Sequence, residues 1–178
     1  MKRSMFAGVA LLAAAACTSA PASAQQATPK SQLGIVTQWI AGTKVEITYR
    51  RPVARGRALF GSLVPYGKVW TPSADTAARI AISGPIEING ARLNAGTYSM
   101  WATPDAQSWT MSFNSNAVLF HLTLPTSGEV LKVNAKPVAS SDHIETLMFD
   151  FPMTDADSAR LELRWGTTVI PFSIKAVR

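Results

Sequence analysis

The chain has 178 residues, 47% hydrophobic and 16% charged, with a formal charge of +6. It is too apolar for a disordered chain and long enough to bury its own core. One cysteine and two histidines exclude a disulfide framework and any cysteine-rich zinc site.

At the N-terminus Lys2 and Arg3 precede an uncharged apolar run over residues 6–16. That run falls short of the roughly 20 residues that a membrane-spanning helix needs. Ala22-Ser23-Ala24 then places small residues before Gln25, as signal-peptidase cleavage requires. The pattern predicts a signal peptide over 1–24 and a mature chain over 25–178, periplasmic or secreted. Ala14-Ala15-Ala16-Cys17 is a loose lipoprotein box without the usual large aliphatic residue at its start, so lipid attachment at Cys17 is the lesser alternative. Cleavage removes the only cysteine and lowers the charge to +4. An exported protein rarely meets nucleic acid, so this residual charge reads as a solvated basic face. The sequence predicts no nucleic-acid partner and no transmembrane segment, and it carries no signal for oligomeric state.

Residues 25–33 are polar, include Pro29, and read as a flexible leader before a domain over 34–178. Period-two alternation dominates that domain, which is the mark of half-buried strands. Val45, Ile47 and Tyr49 alternate with Glu46, Thr48 and Arg50; Trp109, Met111 and Phe113 with Thr110 and Ser112; Leu161, Leu163 and Trp165 with Glu162 and Arg164; Ile170, Phe172 and Ile174 follow suit. Weaker alternation falls near 34–40, 78–83, 85–89, 97–102, 117–124, 129–135 and 144–151. Asn89-Gly90 is a two-residue hairpin signal, because both residues tolerate the positive φ of a type I′ turn. About ten strands with frequent turns and no helical period predict one all-β domain, an antiparallel, jelly-roll-like β-sandwich. Residues 51–77 stand apart. They are rich in Pro, Gly and Arg, do not alternate, and form a long irregular loop of the kind that usually serves a function.

The loop motif is distinctive. Tyr49-Arg50-Arg51-Pro52, Gly56-Arg57, Phe60-Gly61-Ser62-Leu63-Val64-Pro65-Tyr66-Gly67 and Trp70, with the later Ile88-Asn89-Gly90, Ala95-Gly96-Thr97-Tyr98-Ser99 and Leu163–Trp165 segments, resemble a family of exported bacterial proteins catalogued only as a domain of unknown function. The likeness covers roughly residues 42–176 and implies a β-sandwich, with no activity to carry over. Similar sequences have Arg directly after the tryptophan and then a Gly-Ala-Asn turn. Here Thr71-Pro72-Ser73-Ala74-Asp75 stands instead, so a ligand contact made by that Arg and Asn would be altered or lost.

Arg50, Arg51, Arg55 and Arg57 cluster beside Tyr49, Tyr66 and Trp70. A guanidinium suits carboxylate or phosphate and stacks on aromatic rings. The competing and favoured reading is structural, with Arg51 or Arg57 tying the loop to the body through backbone carbonyls. Trp101 shares its phase with Thr97 and Ser99, so an outward Trp101 beside Trp70 would make a stacking platform for sugars. The candidate ligand-binding residues are therefore Arg51, Arg57, Tyr66, Trp70, Asp75 and Trp101. No catalytic residue is assigned. Ser141, Asp142 and His143 are adjacent in sequence, whereas triad members converge from separate elements, and residues 140–143 read as a turn. Asp155-Ala156-Asp157 lacks the glycine and closing glutamate of a calcium loop, and no metal or cofactor is expected. The leading expectation is a non-enzymatic binding or envelope-associated module, acting through the 51–75 loop on a small anionic or carbohydrate ligand. The alternative is a periplasmic hydrolase or isomerase on such a substrate. Intact mass of the exported protein checks the targeting reading: the mature chain is expected to begin at Gln25 and carry no lipid.

Overall fold

Alternating side chains bury one face of each strand, and two such faces cover each other. The computed structural model describes residues 30–177; the expected signal peptide and Cys17 lie outside the described residues. Ten strands follow one another: β1 (Gln32–Ile40), β2 (Thr43–Arg51), β3 (Ala78–Ile82), β4 (Ile86–Ile88), β5 (Ala91–Leu93), β6 (Gly96–Thr103), β7 (Trp109–Asn114), β8 (Glu129–Ala135), β9 (Val138–Thr154) and β10 (Ser158–Ala176). They form two antiparallel sheets, β1-β2-β3-β6-β7-β8 and β5-β4-β10-β9. The architecture is an all-β sandwich of two open sheets rather than a closed barrel. β1 takes in Gln32 and Leu33 of the expected leader, because they pair with Arg51 and Arg50.

Register carries the core across the first sheet. Ile47 pairs with Ile80 and Ile80 with Tyr98, while Ala78, Met100, Phe113 and Leu131 form the next row. Ile86, Ile88, Leu147, Phe149, Leu161, Leu163, Phe172 and Ile174 answer from the second sheet, all buried. Asn89 and Gly90 have φ of 49° and 81°, so the β4–β5 hairpin is the tight turn their identities predict.

β10 is a run of 19 residues that would span roughly 60 Å if straight. Its ends nevertheless meet, since the Ala176 N–H donates to the Asp157 carbonyl at 2.9 Å. The run therefore doubles back at Gly166, whose φ of 59° puts it in the left-handed region. The left-handed φ favours glycine at this turn, and a Cβ there would lie 2.9 Å from Leu59 Cδ1, so that side chain would have to shift. This recovers the two separate alternations of the sequence, 160–165 and 170–174, as two arms of one hairpin.

Two segments differ from expectation. Residues 117–124 alternate but form no strand; among the described residues their backbone bonds to the rest of the chain are a Thr76–Phe120 bridge and the flanking bonds Ala77 N to Leu119 O and His121 N to Asp75 O. Their apolar residues Val118, Phe120, Leu122 and Leu124 face outward, so no buried face anchors a ladder. Residues 140–143 lie inside β9 rather than in a turn, although the local bonding expected of them is present: the Ser140 hydroxyl accepts the Asp142 N–H at 3.1 Å.

Residues 52–77 lie outside every named strand, yet they are tied into the sheets at both ends. Trp70 exchanges two backbone bonds with Ala102 on β6, and Ala78 pairs with Met100 two residues away. Residues 71–77 thus loop out of the sheet between two adjacent positions on one strand. The fully buried Thr71 hydroxyl closes the gap, donating to the Met100 carbonyl at 2.8 Å and accepting the Ala78 N–H at 2.9 Å. A near-isosteric Thr71→Val change leaves both backbone groups unsatisfied and is expected to cost about 1–3 kcal/mol. Urea denaturation with an unchanged far-ultraviolet spectrum checks this; undiminished stability would refute the role of the hydroxyl.

Candidate functional site

The chain leaving β2 runs along the free edge of β9. The Pro52 carbonyl accepts the Leu147 N–H at 2.9 Å, Val53 bridges Thr146, and the Ala54 N–H reaches the Glu145 carbonyl at 2.8 Å. Arg51 Nε adds a bond to the Leu147 carbonyl at 3.2 Å, and the Arg55 N–H donates to the Glu145 carboxylate. One step earlier, the buried Tyr49 hydroxyl accepts the Phe149 N–H at 3.0 Å, with the two rings edge to face at 4.9 Å. Arg51 thus acts as the structural reading of the Arg cluster anticipated.

Arg57 is anchored in the same way. Its Nε donates to the Ala54 carbonyl at 2.8 Å and its Nη2 to the Val53 carbonyl at 2.7 Å. Among the described residues, no carboxylate forms an ion pair with it. It borders a recess of about 260 Å³ with Tyr66, His143, Thr167 and Thr168, over Phe60 and Trp165. Gly166 and Thr167 of the β10 turn supply one wall and the 57–66 stretch the other. His143 Nδ1 lies 3.8 Å from Glu145 Oε2. The Tyr66 ring lies over Gly61, where a Cβ would come within 2.9 Å of it.

Trp70 points the other way. It stacks on Trp165 at 6.0 Å and 11°, and meets Phe60 and Trp109 edge to face at 6.3 and 6.5 Å. Since it pairs with Ala102, it shares the core face of β6, whereas Trp101 occupies the outer face. The two tryptophans therefore form no common platform. Trp101 is 1% exposed, with Nε1 donating to Ser99 Oγ at 3.0 Å. It borders a separate recess of about 350 Å³, roofed by Val69, Leu124 and Pro125. Asp75, with φ of 61°, lines neither recess; its carbonyl accepts the His121 N–H at 3.2 Å. Of the six sequence candidates the fold gathers Arg57 and Tyr66, with Trp70 packed in the core cluster behind them; Arg51 belongs to the β9 seam, Trp101 to the outer face of β6, and Asp75 to the connection that leads into β3.

Three recesses can be compared by their cations. In the Trp101 recess, Lys132 pairs with Glu129 at 2.9 Å. In the largest, about 600 Å³ beside Met153 and Pro171, Arg160 pairs with Glu162 at 2.7 Å. Only Arg57 faces its recess without a carboxylate, among the described residues. Sequence reasoning missed His143, Thr167 and Thr168. Thr167 and Thr168 reach the recess through the β10 turn and His143 reaches it from β9; the local signal for the turn was the Gly166-Thr167 break between two alternating strands. Among the described residues, no group of three His, Cys, Asp or Glu is placed to hold a metal, and no helix is long and apolar enough to cross a membrane.

The fold and this end of it define a two-sheet β-sandwich domain whose long connecting loop is built into the core. A family model described as "Protein of unknown function (DUF2911)" matches residues 31–174, and the chain belongs to that family. No curated protein and no solved structure matches it.

Burial raises the Tyr49 hydroxyl above its ordinary value of 10.0, an effect only partly offset by the Phe149 N–H and by the nearby Arg51 charge. Ionisation is thus easier in the unfolded chain, so the stability Tyr49 contributes is complete below pH 10 and falls away as pH rises past it. Tyr49→Phe is expected to lower stability by about 1–3 kcal/mol at neutral pH, by orphaning the Phe149 N–H, and to flatten this alkaline decline. Urea denaturation below and above pH 10 reads both effects.

Proposed function

We propose that this protein is an exported binding module that holds a small anionic ligand in the recess of Arg57, Tyr66 and His143. The observation that carries the reading is the state of Arg57. Two of its five donors are fixed on the Val53 and Ala54 carbonyls, which orients the guanidinium. Its remaining N–H groups meet no carboxylate among the described residues. A planar fork held this way suits a carboxylate or phosphate. The Tyr66 hydroxyl, the His143 imidazole and the Thr167 and Thr168 hydroxyls add hydrogen-bonding groups at the same mouth. At about 260 Å³ the recess is smaller than the roughly 300–1,000 Å³ clefts that take drug-sized ligands, which favours a phosphate or a single acidic sugar. Binding is a better account than turnover, because His143, the imidazole at the recess, and Glu145, its neighbour outside the lining, are both about half exposed, and among the described residues no serine or threonine hydroxyl is hydrogen-bonded to that imidazole as an activated nucleophile would be.

Calorimetric titration of the chain with inorganic phosphate, gluconate, glucose 6-phosphate and glucose tests this. An anion is expected to bind where neutral glucose does not. Arg57→Gln is expected to weaken the anion at least tenfold, or about 1.4 kcal/mol, and Tyr66→Phe to weaken it less with no change in thermal stability. Binding that survives Arg57→Gln, or no response to any anion, would refute the reading.

A further inference from the structure

The two sheets have four edges, and three carry a recognisable protection against pairing with another chain. β5 is only three residues long. β8 carries the exposed charges of Glu129 and Lys132. β9 is covered by residues 52–55. β1, the fourth edge, has none of these. It runs nine residues without proline, bulge or charged side chain. Over residues 33–40, the only backbone group engaged outside the β1–β2 ladder, among the described residues, is the Trp39 carbonyl, which accepts Gln38 Nε2. On its outer face Leu33, Ile35 and Trp39 are 53%, 58% and 61% exposed, where a solvated strand would alternate to polar residues.

We infer that β1 is an interface between two copies of this chain, paired antiparallel edge to edge so that the six-stranded sheets join into one. An edge strand about a two-fold axis must be complementary to itself. With the axis at Val36, each Leu33 lies opposite the partner's Trp39 and each Ile35 opposite the partner's Thr37. The strand brings no charge of its own to oppose its copy, and like charges directly across a ladder are what destabilise such a pairing. The nearest ionic groups on β2, Lys44 and Glu46, pair with each other at 2.6 Å. Arg50 lies opposite Leu33 at the N-terminal end of β1, so the two-fold sends the two copies of Arg50 to opposite ends of the seam. The pairing satisfies the open backbone edge and brings the three outward apolar side chains into cross-strand contact with those of the second copy.

Analytical ultracentrifugation of the purified chain over a concentration series tests the inference. A twofold mass is expected, reverting to the single-chain mass for Ile35→Lys and for Trp39→Lys, and retained by Val130→Lys on the opposite edge of the same sheet. Because these positions are exposed in the single chain, circular dichroism is expected to stay unchanged, and the melting temperature to lose its dependence on protein concentration while unfolding stays cooperative, which separates lost association from lost folding. Hydrogen exchange adds an independent reading: β1 amides are expected to be protected in the dimer and to exchange fast in Ile35→Lys. A single-chain mass at every concentration overturns the inference. So does a dimer that ignores both β1 substitutions, and so does a monomer with protected β1 amides, which would show that residues preceding β1 cover it. Anion binding at Arg57 is a separate measurement, and neither result decides the other.

Discussion

The hydrogen-bonded seam between residues 49–55 and residues 145–149 joins the two sheets at one margin of the sandwich. Backbone groups at the edge of β9 would otherwise be left open, and each unsatisfied buried group is expensive. Tyr49, Pro52, Val53 and Ala54 supply their partners from the end of β2 and the chain just beyond it. A strand of the first sheet thereby continues as a strap on the second. Arg51 reinforces the strap at the Leu147 carbonyl, and Glu145 fastens it with its carbonyl and its carboxylate alike. Once the chain is fixed there, the route of residues 56–70 is constrained: it must cross the end of the sandwich to rejoin β6 at Ala102.

That crossing explains most of the loop motif. Phe60 and Trp70 are delivered into a cluster with Trp109 and Trp165, with ring centroids 4.7 to 6.5 Å apart. Burying large rings in edge-to-face and stacked contacts is a major stabilising contribution for a domain with no disulfide. Gly61, the bond from its N–H to the Val64 carbonyl at 2.9 Å, and the Tyr66 ring above it form the turn that aims Phe60 inward. A long irregular loop is commonly the functional part of a domain, but here it is first the plug of an open sandwich end. The part free to bind is what the plug leaves on its outer side.

The strand pattern was legible because it depends on neighbours in sequence. Alternation in 44–50, 109–113, 160–165 and 170–174 reports which face is buried, and Asn89-Gly90 reports a turn its own backbone demands. The failures share one cause. Alternation in 117–124 looked like a strand, but whether apolar residues face a core or solvent is decided by what lies across from them. Trp101 had the phase of an outward residue and kept it, yet Val69, Leu124 and Pro125 roof its surroundings from distant parts of the chain. Trp70 sits in a non-alternating stretch, so no period assigned it to the core; its bridge to Ala102 does. For the recess, Arg57 and Tyr66 were legible as chemistry near one another in sequence. His143, Thr167 and Thr168 were not, since a strand and a hairpin turn about a hundred residues away bring them there.

Arg57 shows how structural and functional readings of one residue combine rather than compete. A free arginine must give up rotamer freedom, worth up to about 2 kcal/mol, when it closes on a ligand. Bonds to Val53 and Ala54 remove that freedom during folding, and those carbonyls are themselves held because their residues are strapped to β9. The guanidinium therefore meets a ligand already oriented, and the ordering cost that usually reduces affinity has been met by the fold. The same strap protects one sheet edge and stiffens one cation. Nothing comparable reaches β1 on the other side of β2, among the described residues, and that asymmetry leaves the molecule with a rigid polar mouth at one end and an open apolar edge beside it.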